Sequence, residues 1–361
     1  MSTEHIKVLY YTNPIAFQIF GGAEIQMQKT KEHLEAMNDD VFVKFFDPFS
    51  DKLDEYDILH VFQMHSECLS LCNLAKIKGL KIVLSSIYWP ETGTDRSASM
   101  IMGALNKGLK FYFNLKNYNY PTFKTLYPYK DFLEAANIIV PNSRIEATIL
   151  SREFRINLDK FFSVPNAVEK NFFSAKPDRF IEKYSLKDFV LYVGRIEPRK
   201  NMLTLLKAYE DIEIPLVIIG HFNPLEYEYF LECKKVAKHN SHIHFLGYMS
   251  PNSEELLSAY AAAKVFVLPS GFETPGLSAL EAGLAGCNLV ITKGGSTKEY
   301  FKNYASYVNP SSKEEIKEKI LEAYEKPKNN ELKEHILKNY TWEKTAEKTI
   351  EAYNLTLGKI N

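Results

Sequence analysis

Residues 269–286 read PSGFETPGLSALEAGLAG and follow an apolar run, AKVFVL, at 263–268. A short apolar run bounded by turn formers is the pattern of a strand buried on both faces of a parallel sheet. Thr274 and Pro275 then read as a helix start, a hydroxyl N-cap followed by a proline where no backbone N–H is needed. On this reading Glu273 lies in the loop above a helix N-terminus, and Glu281 about a turn and a half inside the helix. Free N–H groups at a helix start favour an anion. A carboxylate beside them only accepts hydrogen bonds, which suits a hydroxyl-rich neutral group. A phosphate pocket flanked by two hydroxyl acceptors is the outline of a nucleotide-sugar site. Taken alone, the stretch equally fits an α/β protein with two solvated glutamates, so the decision rests on the other segments.

The chain of 361 residues is too long for one ordinary core, which argues for two domains. Its 45% apolar and 25% charged content is that of a soluble globular protein, and a net charge of −1 gives no general attraction to nucleic acid or membrane. The cysteines Cys68, Cys72, Cys233 and Cys287 show no paired C-x-x-C spacing, which argues for a reducing compartment and against zinc. Cys68 and Cys72, four apart on an expected helix, read as small buried hydrophobes. With no signal-like start and no apolar run of about 18 residues, a cytoplasmic chain without a membrane span is expected.

From the N-terminus, IKVLYYT (6–12) reads as a strand, and Gly21-Gly22-Ala23-Glu24 opens a helical pattern to about Met37. Strand, glycine turn and helix form the first unit of a doubly wound fold. Strand patterns follow at 41–46, 57–62 and 81–86, with a helix near 66–78. The alternation predicts a parallel sheet with helices on both faces. The rhythm breaks at 87–130, where lysines mix with Phe and Tyr and no acidic residue lies between Asp95 and Asp131. Within it, 96–130 could lie against anionic lipid or a lipid-linked acceptor; the alternative is a helical excursion with packed aromatics and solvated lysines. The sheet resumes at NIIVPNS (137–143) and KFFSVPNAV (160–168). Residues 169–187, charged and aperiodic, read as the linker between a domain at 1–168 and another at 188–340. The second series has strand patterns at 190–194, 214–220, 242–249, 263–268, 287–292 and 305–310. A final amphipathic helix within 341–361, with Trp342 and apolar positions 346, 350 and 353, is expected to pack back on the first domain.

At the start of the second series, VLYVG is followed by Arg195, Ile196, Glu197, Pro198, Arg199, Lys200 and Asn201. Asn201 can cap the next helix. Arg195 and Lys200 then sit at the carboxyl edge of a parallel sheet, where such sheets bind ligands. An arginine fork and a lysine point charge can together carry a diphosphate. A solvated basic turn is the alternative for this segment alone. A second glycine turn, Lys293-Gly294-Gly295-Ser296, follows the strand after Glu281.

Gly21-Gly22-Ala23-Glu24, VPNAV at 164–168, VGRIEPRKN at 193–201 and PSGFETPGLSALEA at 269–282 stand in an order that resembles the family 4 retaining glycosyltransferases. The last two segments are the specific ones. The resemblance implies an α/β GT-B fold, two doubly wound Rossmann-like domains facing across a cleft. It implies transfer of a sugar from a nucleotide-diphosphate sugar to a glycan or lipid-linked acceptor, in cell-surface polysaccharide or glycolipid biosynthesis. By resemblance, Gly21 and Gly22 approach the donor diphosphate, and Arg195 and Lys200 neutralise the departing one. Glu273 holds donor-sugar hydroxyls with Thr274 and the N–H groups of Gly276 and Leu277, and Glu281 accepts from the ribose. No Asp-x-Asp motif is present, so no metal and no cofactor are expected, with two cations and a helix N-terminus in the metal's place. The family's usual proposal, inherited with the resemblance, is front-face attack with retention.

One departure stands out. Family members often carry a His after the fourth strand of the first domain, where this chain reads Ser85-Ser86-Ile87-Tyr88-Trp89-Pro90. Ser86 or Tyr88 would then supply the polar contact near the anomeric centre or acceptor. The departure keeps open a non-catalytic nucleotide-sugar binding protein, and the shared fold keeps open a sugar-nucleotide epimerase. A dinucleotide-dependent oxidoreductase is disfavoured because no G-x-G-x-x-G follows the first strand.

Overall fold

The computed structural model describes residues 5–13, 15–18, 21–37, 40–90, 129–251, 253–328 and 330–360. The chain divides into two compact units: one runs to Val164 and takes up again at Ala346, and the other is Pro165–Thr345.

The first unit is built on five parallel strands: β1 (Ile6–Tyr11), β2 (Val41–Phe45), β3 (Ile58–Phe62), β4 (Lys81–Ser85) and β5 (Ile138–Ile139), in the order β2-β1-β3-β4-β5. Its helices are α1 (Gly22–Met37), α2 (Ser66–Ile77), α3 (Tyr129–Ala135) and α4 (Arg144–Phe154). Every residue of β3 is buried, His60 included, as befits a central strand covered on both faces. Cys68 and Cys72 are buried on α2, and burial pushes both thiols up to about 12.

The second unit carries six parallel strands: β6 (Val190–Val193), β7 (Leu216–Ile219), β8 (Ile243–Gly247), β9 (Val265–Leu268), β10 (Asn288–Thr292) and β11 (Ala305–Val308), in the order β11-β10-β9-β6-β7-β8. The helices are α5 (Asp178–Tyr184), α6 (Met202–Ala208), α7 (Tyr227–Ala237), α8 (Glu254–Ala262), α9 (Leu277–Leu284), α10 (Thr297–Phe301), α11 (Lys313–Glu325) and α12 (Asn330–Asn339). A last helix, α13 (Trp342–Leu357), begins in this unit and from Ala346 belongs to the first. There Ala346, Ala352 and Tyr353 are buried with Val8, Tyr10 and Phe62 in one apolar cluster. Among the described residues no helix is long and apolar enough to cross a membrane.

Two local expectations need correction. Residues 160–168 do not form a strand. Phe161 makes a single parallel bridge to Ile139, the Phe162 N–H donates to the Ile139 carbonyl at 2.8 Å, and β5 itself is only two residues long. The Val164 N–H likewise donates to the Pro141 carbonyl at 3.0 Å, after which the Asn166 N–H turns to the Tyr300 hydroxyl at 2.7 Å. Residues 169–187 are no bare linker: Lys170–Ser174 form a 3-10 turn and Asp178–Tyr184 form α5. Phe172 and Phe180 from this segment are buried in the second unit's core. The lipid-facing expectation at 96–130 lies, apart from Tyr129 and Lys130, outside the described residues.

Candidate active site

In the second unit the strand order reverses between β6 and β9. Chains leave these two strands in opposite directions, which opens a crevice at their carboxyl ends. The loop after β6 carries Arg195, Glu197, Arg199 and Lys200, and the loop after β9 carries Glu273. The loops are tied together, since the Gly271 N–H donates to the Arg199 carbonyl at 3.0 Å. Lys200 Nζ donates to Glu273 Oε1 at 2.5 Å, with the side chains 14% and 4% exposed. Burial alone would push the Glu273 carboxyl up, but the Lys200 and Arg199 cations hold it below its ordinary range. Burial draws the Lys200 ammonium down, opposed by its attraction to Glu273. The pair is thus a charged couple already stripped of most of its water, and an arriving anion can recruit Lys200 without a large solvent rearrangement.

Backbone geometry fixes Glu273. Its N–H donates to the Gly294 carbonyl at 3.3 Å, and its own carbonyl accepts from the Ser296 N–H at 2.8 Å. Gly295, at φ +87°, passes so close that a Cβ there would stand 2.1 Å from the Glu273 carbonyl oxygen, which only glycine avoids. On the other side Gly276, at φ +91°, leaves room for the carboxylate, whose Oε2 would be 3.2 Å from a Cβ. The helix therefore does not begin at Thr274-Pro275. It begins at Leu277 with Gly276 as N-cap, and Thr274 is buried in the preceding loop across a cis peptide bond to Pro275. The first N–H groups of α9, from Leu277 onward, have no preceding helical turn to donate to.

Glu197, nearly buried at 8% exposure, spans the arginines. Its Oε1 accepts from Arg199 at 2.9 Å, and its Oε2 lies 3.5 Å from Arg195 Nε. The Arg195 carbonyl accepts from the Tyr192 hydroxyl at 2.9 Å. Asn201 sits at the N-cap position of α6 but does not cap with its side chain. Its amide instead donates to the carbonyls of Pro269 and Pro310, at 3.0 and 2.7 Å, and so braces the loop after β9. Glu281 stands little more than one turn inside α9 and is half-buried. The Tyr260 hydroxyl donates to its Oε2 at 2.5 Å. Burial pushes Glu281 up to about 7, although Tyr260 opposes the shift.

In the first unit, Gly21 and Gly22 lie at the start of α1, and the Gly21 N–H is held by the Glu24 carboxylate at 2.8 Å. Ser86 and Tyr88 are 1% and 5% exposed and spend their hydroxyls internally. Ser86 donates to Glu146 at 2.5 Å, Tyr88 donates to Glu153 at 2.9 Å, and Glu146 also accepts from the Tyr88 N–H. A buried carboxylate needs donors, and the Ser86 hydroxyl with the N–H groups of Tyr88 and Asn142 satisfies Glu146. The reading of them as open substrate contacts is replaced by one in which they shape the loop after β4. His60 is likewise structural: its ring nitrogens bond Tyr353 and Ser85, and burial pushes it down to about 3.

The residues missed from sequence are Glu197, Arg199, Tyr260 and Gly295. The alternation Arg195-x-Glu197-x-Arg199 was a usable signal for the first two, but nothing local marks Tyr260, 21 residues before its partner.

Comparisons with known proteins agree with this geometry. Residues 175–343 match the family model described as glycosyl transferases group 1. The chain is 27% identical to an Escherichia coli O-antigen chain mannosyltransferase B over 238 residues, 62% of each chain. It is 30% identical to the E. coli serotype-specific mannosyltransferase WbdA over 66% of this chain and 31% of that one. The matches thus span 62% of the first relative's length and 31% of the second's. Among solved structures, sucrose-phosphate synthase from Thermosynechococcus elongatus superposes with a TM-score of 0.75 at 16% identity, over 99% of this chain and 100% of that one. Anabaena HepE in complex with UDP and glucose gives 0.69 at 16%, over 97% and 100%. The architecture is the α/β GT-B fold. Residues 175–343, most of the second unit, are thus similar to the group 1 glycosyltransferases.

Proposed function

We propose that this chain transfers a hexosyl group from a nucleotide-diphosphate sugar to a glycan or lipid-linked acceptor, with retention at the anomeric carbon and without a metal ion. The observation that carries the reading is the buried Lys200–Glu273 pair at the reversal between β6 and β9, with Arg199 acting on it and Arg195 joined to Arg199 through Glu197. Lys200 and Arg195 receive the charge that develops on the departing diphosphate, and the N–H groups ahead of α9 add the positive end of a helix dipole. Glu273, held ionised, accepts from hydroxyls of the donor sugar. Glu281 accepts from the ribose. Gly21 and Gly22 let the backbone approach the diphosphate from the first unit, and no cofactor takes part. The relatives' names favour mannose as the sugar and O-antigen-like polysaccharide as the setting; UDP and glucose in a solved neighbour make the uridine donor the alternative to test. The setting for such chemistry is the cytoplasmic side, with 96–130 as the segment that meets a lipid-linked acceptor.

The test is sugar transfer from GDP-mannose and UDP-glucose to lipid-linked glycan acceptors, run with and without EDTA. One donor is expected to turn over equally in both conditions. Arg195→Ala and Lys200→Ala are each expected to lower the rate about 10²–10³-fold. Unchanged rates in both variants overturn the proposal, and tight donor binding without turnover on any acceptor favours a binding protein instead.

A further inference from the structure

Glu281 is approached by one donor among the described residues, the hydroxyl of Tyr260. Tyr260 lies on α8 and is fully buried. Its ring meets Phe172 edge-on at 5.4 Å and lies against Phe266 at 6.2 Å. Its carbonyl accepts from Cys287 Sγ at 3.2 Å. The phenol therefore has one place to be, and it delivers its proton to Oε2 at 2.5 Å. An ionised carboxylate offers two oxygens and roughly four acceptor sites. With one site of Oε2 engaged, rotation about the terminal bond is restrained, and the remaining acceptor sites are left for a ligand.

A vicinal diol presents two O–H donors at a fixed separation, and a carboxylate serves both only if its plane is already set. We propose that Tyr260 is a positioning residue that sets Glu281 for a ribose diol, so that preference for ribonucleotides over 2′-deoxyribonucleotides depends on a phenol that never touches the ligand. The proposal rests on the reading of Glu281 as the ribose acceptor. It adds that recognition is pre-set from α8, outside the ligand-facing loops. A charge-assisted hydrogen bond from the 2′-hydroxyl is worth at least about tenfold in affinity when its acceptor is pre-set.

Calorimetric titration of the full chain with UDP, GDP, 2′-deoxy-UDP and 2′-deoxy-GDP tests this. The wild type is expected to bind the preferred ribonucleotide at least about tenfold tighter than its 2′-deoxy counterpart. In Tyr260→Phe the ratio is expected to fall to about threefold or less through weakened ribonucleotide binding, with the deoxynucleotide nearly unaffected. A merely structural role would weaken both ligands alike, so an equal loss, or an unchanged ratio, overturns the proposal. Glu281→Gln supplies a second arm should Tyr260→Phe not fold: a wild-type ratio in that variant also overturns it. If the folded wild type binds none of the four nucleotides, the nucleotide-sugar reading itself has failed and this proposal with it. Binding without a change of ratio sinks the positioning role alone.

Discussion

Glu273 and Glu281 are the same residue type eight positions apart around one helix start, yet they are held in opposite states. Glu273 faces Lys200 at 2.5 Å with Arg199 nearby, and stays below the usual carboxylate range despite its burial. Glu281 faces only a phenol and is pushed up to about 7. Burial acts on both in the same direction. The partners decide, because two cations and the hydrogen bonds at Glu273 together outweigh desolvation, whereas one neutral hydroxyl at Glu281 does not. One loop and one helix thus present a carboxyl held toward its ionised form and a carboxyl that titrates near neutrality.

The largest effect should come from breaking the charged couple. Glu273→Gln leaves Lys200 buried without its counter-ion and is expected to lower stability by about 3–5 kcal/mol, read by denaturant unfolding. Transfer should fall together with it. A loss under 1 kcal/mol would mean that the pair is hydrated in solution. Gly276→Ala tests the space around the same carboxylate: φ +91° and a Cβ 3.2 Å from Glu273 Oε2 predict a loss of about 1–3 kcal/mol. An unchanged unfolding midpoint would show that the loop relaxes freely.

The titrating partner is tested by pH. Glu281 holds its proton in the folded protein up to about 7, against 4.5 for the unperturbed side chain. Between those values the folded state binds more protons than the unfolded, so its stability falls as pH rises through that window. Denaturant midpoints at pH 5 and pH 8 should therefore drop for the wild type, and drop less for Glu281→Gln. Equal drops would place the titration elsewhere. The smallest effect belongs to Arg199→Gln, which keeps the Lys200–Glu273 bond but removes one of the two cations acting on Glu273 and a bond to Glu197. About 1 kcal/mol is expected, with the acid limb of stability moved to higher pH because Glu273 is then less strongly held ionised.

Much of the second unit was legible in its sequence. Apolar runs located all six strands, most firmly β7, β9 and β10, since a strand buried on both faces leaves little choice of residue. Lys200 and Glu273 were legible one by one as charges at the carboxyl edge of a sheet. Their meeting was not, because 73 residues separate them and strand order, unlike strand location, is not written locally. Tyr260 was hidden for the same reason. Ser86 and Tyr88 misled because a hydroxyl after a strand end looks alike whether it faces a ligand or a glutamate on α4. The segment 169–187 misled in another way: a five-residue 3-10 turn has no period to read, and its charges masked the two phenylalanines that anchor it.

That segment has a practical consequence. Phe172 is the ring packed against Tyr260, and Tyr260 holds Glu281. A chimera that exchanges the second unit between relatives at residue 188 would leave this wedge behind with the wrong parent. A junction at Pro165 carries the wedge, the phenol and the carboxyl as one inherited part.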